Sequence, residues 1–350
     1  MRQTFILTHR WIAIVASIFL LGTAASGAAL VFEGAIDRGL HPELWHVNPG
    51  AQWLPIDTIV AHVQAHFPGA KIASVSLAAE RDRAWTMSAG PLLAFVNPYT
   101  GDVIGTRTSA QSQATLARRL HVFHVEFFQG KLGRSFVGVL SGVALFLVVT
   151  GMILWWPDKL FRIHTGASWK RINFDLHHAF GIVASLVLVV ICASGLVVHY
   201  DGLANAIKSL DTIPVAAPPA QPSGTGAPSF DAIAAAAKHA LPEAEISFVS
   251  LGGGANAASV GMKFPEDHTP AGRTRVFIDR NSDTVLAVNS TRNAQIGTRL
   301  DNLKRSLHTG DIFGRASSAI WLVATLTMLS QIVTGVLMWL NARRGRKRAR

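Results

Sequence analysis

One stretch limits what this chain can fold into more than any other: residues 176–201, LHHAFGIVASLVLVVICASGLVVHYD, uncharged from 179 to 198 and carrying histidines at both ends. At about 1.5 Å per helical residue, the 22 steps from His177 to His199 cover roughly 33 Å, one hydrocarbon thickness. At about 100° per residue the two imidazoles fall roughly 40° apart around the helix, close to one face. Ionisable side chains at membrane depth are costly and mark function by default.

The stretch occurs twice. Shifted by 168 positions, His9 meets His177, Ile14-Val15-Ala16-Ser17 meets Ile182-Val183-Ala184-Ser185, and Ala25-Ser26-Gly27 meets Ala193-Ser194-Gly195. At a shift of 184, His124 meets His308, Gly130 meets Gly314, Lys131 meets Arg315, Val149-Thr150-Gly151 meets Val333-Thr334-Gly335, and Trp155 meets Trp339. The chain reads as an internal duplication, each half running span, outer module, His-bearing lead-in, span.

Four uncharged runs are about long enough to cross a bilayer: Trp11–Phe32, Phe136–Trp156, Ala179–Val198 and Ala316–Asn341. A mean hydropathy of +0.32 with 15% charged residues fits a membrane protein that also carries polar domains. The net charge of +11 could indicate nucleic acid, but its location argues otherwise. Residues 1–10, 157–178 and 342–350 hold twelve Lys/Arg against Asp158 and Asp175, a net +10, which leaves +1 for everything else. That is the positive-inside pattern, with both termini and the middle loop cytoplasmic and no nucleic-acid partner. Trp155, Trp156, Trp169 and Trp339 fit an interfacial belt at that side. The first 30 residues are not read as a cleaved signal, because their counterpart at 177–201 is internal. Cys192, the single cysteine, lies mid-span, so the chain has no disulfide, thiolate cluster or C-x-x-C-H haem attachment.

Between the spans lie two α+β segments. In the first, Ile56–Phe67 has helical spacing, Ile72–Ala79, Ala84–Ser88 and Leu92–Asn97 alternate as strands, Pro98-Tyr99-Thr100-Gly101 turns, and Asp102–Gly105 continues. The second opens with a Pro/Gly/Ala linker at 212–228. A helix over Phe230–Leu241 follows, then strands at Ala244–Leu251, Ala258–Phe264 and Thr274–Ile278, and a turn at Asp279–Asp283. Neither shows a catalytic triad, a phosphate loop or paired carboxylates.

The topology sorts the repeat-matched histidines into two pairs. His9 and His177 each precede an inside-to-outside span, while His124 and His308 each precede an outside-to-inside one. Facing imidazoles on bundle helices are what haem iron takes as axial ligands, so the expected cofactors are two b-type haems, one near each face. Gly27, Gly195, Gly151 and Gly335 would let helices approach around the macrocycle. A histidine at a membrane end is more often an interfacial residue, and it is the fourfold matching that favours ligation. Zinc or copper would want thiolate or acidic co-ligands, and a proton relay is the other reading of such residues. Three histidines rank lower as ligands: His199, which shares a helix face with His177, His121, one turn from His124, and His178. His41, His46, His62, His66, His164, His239 and His268 read as surface or packing residues.

At His9-Arg10-Trp11, Leu176-His177-His178 with Gly181, Leu307-His308-Thr309-Gly310, the twice-occurring Val-Thr-Gly-x-x-x-Trp, and Asn97-Pro98-Tyr99-Thr100-Gly101, the chain resembles PepSY-associated transmembrane-helix proteins over nearly its whole length. The resemblance implies an inner-membrane, often iron-regulated protein with periplasmic PepSY modules, and characterised members look like ferric-siderophore reductases with two haems. The second module departs from the pattern, with Asp279–Asp283 replacing the Pro-Tyr-Thr-Gly turn.

The expected fold is therefore a membrane α-helical bundle of four transmembrane helices, internally duplicated, with two small α+β PepSY-like extracytoplasmic modules. Its segments are 1–34 (N-terminus and first span), 35–115 (first module), 116–157 (lead-in and second span), 158–176 (cytoplasmic loop), 177–200 (third span), 201–300 (linker and degenerate second module), 301–341 (lead-in and fourth span) and 342–350 (basic tail). The expected function is an inner-membrane di-haem b reductase. Electrons would enter at His9/His177, leave at His124/His308, and reduce a periplasmic ferric siderophore to release Fe(II). With no G-x-G-x-x-G after a strand, the donor would be quinol or a protein. Two other classes stay open: a siderophore or metal permease, and a non-catalytic membrane-anchored PepSY binding module.

Overall fold

The computed structural model describes residues 2–157, 161–213, 215, 217, 219–222, 228–252 and 257–348. Asp158 and Lys159, parts of the 212–228 linker and the end of the basic tail lie outside the described residues. In chain order the helices are α1 (Arg2–Leu30), α2 (Glu33–Leu40), α3 (Pro42–Trp45), α4 (Ile56–His66), α5 (Ser109–Ala114), α6 (Leu116–Glu126), α7 (Gly130–Trp155), α8 (Trp169–His199), α9 (Asp201–Lys208), α10 (Phe230–Ala240), α11 (Ile296–Thr309) and α12 (Arg315–Arg348). The strands are β1 (Ile72–Ser76), β2 (Trp85–Ala89), β3 (Leu92–Val96), β4 (Val103–Thr108), β5 (Glu245–Ser250), β6 (Ala258–Lys263), β7 (Thr274–Ile278) and β8 (Val285–Asn289). They form two compact units.

The first unit is a helix bundle. Four of its helices are long and apolar enough to cross a membrane: Arg2–Leu30, Gly130–Trp155, Trp169–His199 and Arg315–Arg344. α1 packs against α7 and α12, and α8 packs against the same two, so α1 and α8 occupy diagonal corners. Small side chains permit this: Ala16, Ala144 and Cys192 pack with Leu20 and Leu140, and Ala184 and Ala324 pack with Leu188. The outward faces carry exposed Val15, Ile18, Val183, Leu186 and Val323, as lipid-facing helices do. At one end of the bundle, Arg10 lies over Trp11, Arg171 over Phe174 and Arg343 over Trp339, an amphipathic cationic rim.

Two short helices that sequence periodicity did not reveal, α6 and the end of α11, fold back against the opposite end. Each turns into the following span through a left-handed glycine, Gly130 (φ 56°) and Gly314 (φ 65°), where a side chain would be strained. The α6–α7 turn also holds Phe127 (φ 46°) and Phe128 (φ 60°) in that region. Phe127 is gripped edge-on by Phe123, ring centres 4.8 Å apart, and by Phe19 at 6.3 Å.

The second unit is one antiparallel sheet of eight strands in the order β4-β3-β2-β1-β5-β6-β7-β8. Two small modules were expected; instead the two four-stranded meanders join edge to edge through Ser74↔Ser250, Val75↔Val249 and Ser76↔Phe248. Pairing β1 with β5 removes an unpaired edge from each meander, which explains the fusion. α4 and α10 share a core with the sheet: Ile59 and Val63 from one and Ile233 and Ala237 from the other, against Val75, Met87, Val249 and Val260. Their N-termini cap each other. The Asp231 carboxylate accepts the N–H groups of Ile56 (2.7 Å) and Asp57 (2.9 Å), and the Asp57 carboxylate accepts those of Phe230 (2.8 Å) and Asp231 (3.3 Å). β8 was not expected from the sequence. It follows the Asp279 turn, which keeps the geometry of the Asn97 turn despite its different sequence. Asn97 Oδ1 accepts the N–H of Tyr99, and Asp279 Oδ1 that of Asn281, both at 2.9 Å. The position held by Gly101 (φ 77°) is Asp283 at φ 56°. The N–H of Asn281 and the Ser282 hydroxyl outweigh desolvation and hold the Asp279 carboxyl below its ordinary range.

Candidate functional site: four seated histidines

The four repeat-matched histidines meet their neighbours by one rule. Each imidazole lies on a Ser-Gly or Thr-Gly dipeptide of another helix. His9 Nδ1 is 2.8 Å from Thr150 Oγ1, and a Cβ added to Gly151 would stand 3.7 Å from His9 Cε1. His177 Nδ1 is 2.9 Å from Thr334 Oγ1, with Gly335 leaving 3.3 Å to His177 Cε1. His124 Nδ1 is 3.2 Å from Ser26 Oγ and donates to Thr23 O at 3.0 Å, and Gly27 leaves 3.0 Å to its Cε1. His308 Nδ1 donates to Ile191 O, three residues before Ser194, at 2.9 Å, and Gly195 leaves 2.9 Å.

The hydroxyl and the glycine perform different tasks. Thr150 and Thr334 donate to the carbonyls of Phe146 and Ser330, four residues back, at 2.8 and 2.7 Å. Each hydroxyl proton is thus engaged, and the oxygen accepts the Nδ1–H of its histidine. At the other end the acceptors are carbonyls, which require the proton on Nδ1. All four rings therefore carry the proton on Nδ1 and leave the Nε2 lone pair free. Metal-ligating histidines are oriented in this way by an outer-shell acceptor. Gly195 and Gly27, and less tightly Gly335, clear space for the imidazoles themselves, whereas a side chain at Gly151 would make only ordinary contact.

The two pairs occupy opposite ends of the bundle. Eighteen residues separate His9 from Gly27 and His177 from Gly195, about 27 Å of helix in both cases. His124 and His308 are brought together, ring centres 6.1 Å apart and planes at 43°. A haem held between them would take one imidazole from each. Both line a cavity of about 350 Å³ between the helices, walled by Leu20, Leu140, Leu188, Ile191 and Met328 and within the roughly 300–1,000 Å³ range of small-molecule sites. His9 and His177 share the cationic end but make no such ring contact. The ring next to His177 is His178, at 5.8 Å.

The lower-ranked histidines lack seats. His178 donates within its own helix to Phe174 O at 2.8 Å and stacks on the Phe174 ring. His121 pairs with Glu33 at 3.5 Å. His199 lines the cavity but lies against Gly138 and the Tyr200 ring, with no acceptor engaging its Nδ1 among the described residues. Of the histidines read as surface or packing residues, His164 is held by Asp175, Nδ1 to Oδ2 at 2.8 Å.

The donor set fits a porphyrin better than a bare ion. A metal held by side chains alone wants three or four ligands. Among the described residues no group of three or more His, Cys, Asp or Glu is placed to hold one. A haem brings four nitrogens of its own and asks the protein for two. Sequence reasoning missed Ser26, Thr150 and Thr334. The signal was present, since each stands immediately before a glycine of the two repeat alignments.

The family described as the PepSY-associated TM region matches residues 6–342. No curated protein matches the chain.

Proposed function

The chain belongs to the PepSY-associated TM family, and from that premise we propose that it is a two-haem inner-membrane protein that carries electrons from the cytoplasmic side to a periplasmic ferric siderophore. The observation that supports this most is the shared wiring of His9, His177, His124 and His308, each with Nδ1–H engaged and Nε2 free. Bound at such histidines, haem supplies one-electron Fe(III)/Fe(II) chemistry. The charge asymmetry supports a cytoplasmic position for His9 and His177 and a periplasmic one for His124 and His308. Thr150, Thr334 and the carbonyls of Thr23 and Ile191 fix ring orientation and tautomer, so ligation costs little reorganisation. The cavity walls around the outer site are largely apolar, with Leu20, Leu140, Leu188, Ile191 and Met328. Electrons arrive from quinol or a protein. One electron converts a ferric siderophore to its Fe(II) form, which hard oxygen donors hold more weakly. The matched seats in the two halves are what a duplicated pair of hairpins would leave, and segments 35–115 and 201–300 then belong to the periplasm.

Purified protein in liposomes, given a quinol in the bilayer and a ferric trihydroxamate outside, should form Fe(II) that ferrozine traps. The His308→Ala variant should form almost none. Iron crossing into the liposomes without any donor would replace this reading with a permease. A colourless protein indifferent to His→Ala at all four positions would replace it with a binding module.

A further inference from the structure

The cavity that holds His124 and His308 contains more charge than two neutral ligands need. Its walls are largely apolar, yet Glu33, His121, Arg134 and Arg305 also line it. Glu33 and His121 face each other at 3.5 Å. Arg134 pairs with Glu126 through one nitrogen at 3.6 Å and has 62% of its side chain exposed, so its other donors remain available. Arg305 lies three residues before His308, one helical turn, and so shares its face of α11. Among the described residues, no carboxylate lies within ion-pair distance of Arg305. At the 184-residue shift Arg305 falls on His121, so each outer ligand has a cationic or proton-bearing side chain one turn before it.

We propose that Arg134 and Arg305 bind the two propionate carboxylates of the porphyrin seated between His124 and His308. The inference rests on the haem reading above and extends it to the ligand's polar edge. A b-type porphyrin is an apolar disc with two carboxylates on one edge. Sinking the disc among Leu20, Leu140, Leu188 and Ile191 is favourable only if those carboxylates reach water or cations. A guanidinium accepts a carboxylate through two parallel N–H donors, so two arginines match two propionates in number, charge and geometry. A disc anchored in this way has a fixed rotation about the His124–His308 axis, with its carboxylate edge toward the arginines.

The test compares haem with its dimethyl ester, which keeps the iron and ring but has no carboxylate charge. Apoprotein reconstituted with each should retain haem at least about tenfold longer at the outer site than the ester, measured as transfer to apomyoglobin. In Arg305→Gln and Arg134→Gln that preference should shrink, and in the double variant it should vanish, while the bis-imidazole spectrum persists. Arg305→Lys should recover part of it. The midpoint potential of the outer haem should fall in the Gln variants, because a positive charge near the iron favours Fe(II). Equal retention of haem and ester by the unaltered protein would overturn the proposal without touching the ligand assignment. Failure to bind either form would overturn the haem reading itself. The comparison on the unaltered chain decides the matter even if an arginine variant fails to fold.

Discussion

His124→Ala and His308→Ala should each remove about half of the haem that we propose the protein binds, while His199→Ala, His121→Ala and His178→Ala should leave the content near two per chain. The difference follows from seating, not from distance to the cavity, since His199 and His121 line the same cavity as the ligands. On the proposed reading, losing one imidazole would leave a haem at this site with one protein ligand and would open a void beside it. His9 and His177, about 27 Å away along the helices, are untouched. Pyridine haemochrome assay against protein concentration gives the ratio. Loss on His199→Ala with retention on His308→Ala would mean that the outer iron is strung along α8 between its two ends, and the pairing argued here would be wrong.

Alanine at the four seat glycines should give a graded series, worst for Gly195 and Gly27 and mildest for Gly151. The order follows from the space behind each ring: 2.9 Å at Gly195, 3.0 Å at Gly27, 3.3 Å at Gly335 and 3.7 Å at Gly151. The last is ordinary van der Waals contact. The first two require the imidazole to retreat, and it cannot retreat freely, because Nδ1–H is held by a backbone carbonyl at 2.9 or 3.0 Å. Overpacking of this kind costs roughly 1–3 kcal/mol, and here it also tilts Nε2 off the iron axis. Gly195→Ala and Gly27→Ala should therefore lose most of the outer haem. Gly335→Ala should lower occupancy partly and Gly151→Ala should match the unaltered chain, as read by haem content and by haem-absorbance melting. Equal tolerance at all four would show that the glycines serve helix packing alone.

Hydropathy and period-two alternation were enough to find the four spans, α4, α10 and most of the strands, because those signals are local. The matched histidines were legible because the same spacing is written twice. The sheet fusion was not, since Val75 pairs with Val249 across more than 170 residues and nothing in either strand names its partner. The seats were hidden for the same reason: His9 bonds to Thr150, 141 residues away, and His177 to Thr334, 157 away. α6 was missed because it is short and its residues serve two purposes, Phe123 packing over Gly22 while His124 turns to Gly27. The Asp279 turn shows the opposite case. Its sequence departs from Asn97–Gly101, yet an Asx hydrogen bond and a left-handed fifth residue preserve the shape.

The proposed function depends on four imidazoles offering Nε2 to iron in two places. The dithionite-minus-oxidised absorption spectrum of the full chain, purified from cells grown with ample haem, tests that most directly. The account predicts b-type bands of low-spin, bis-imidazole iron at two haems per chain. A chain that folds, keeps its helical content and shows no b-type bands would contradict it.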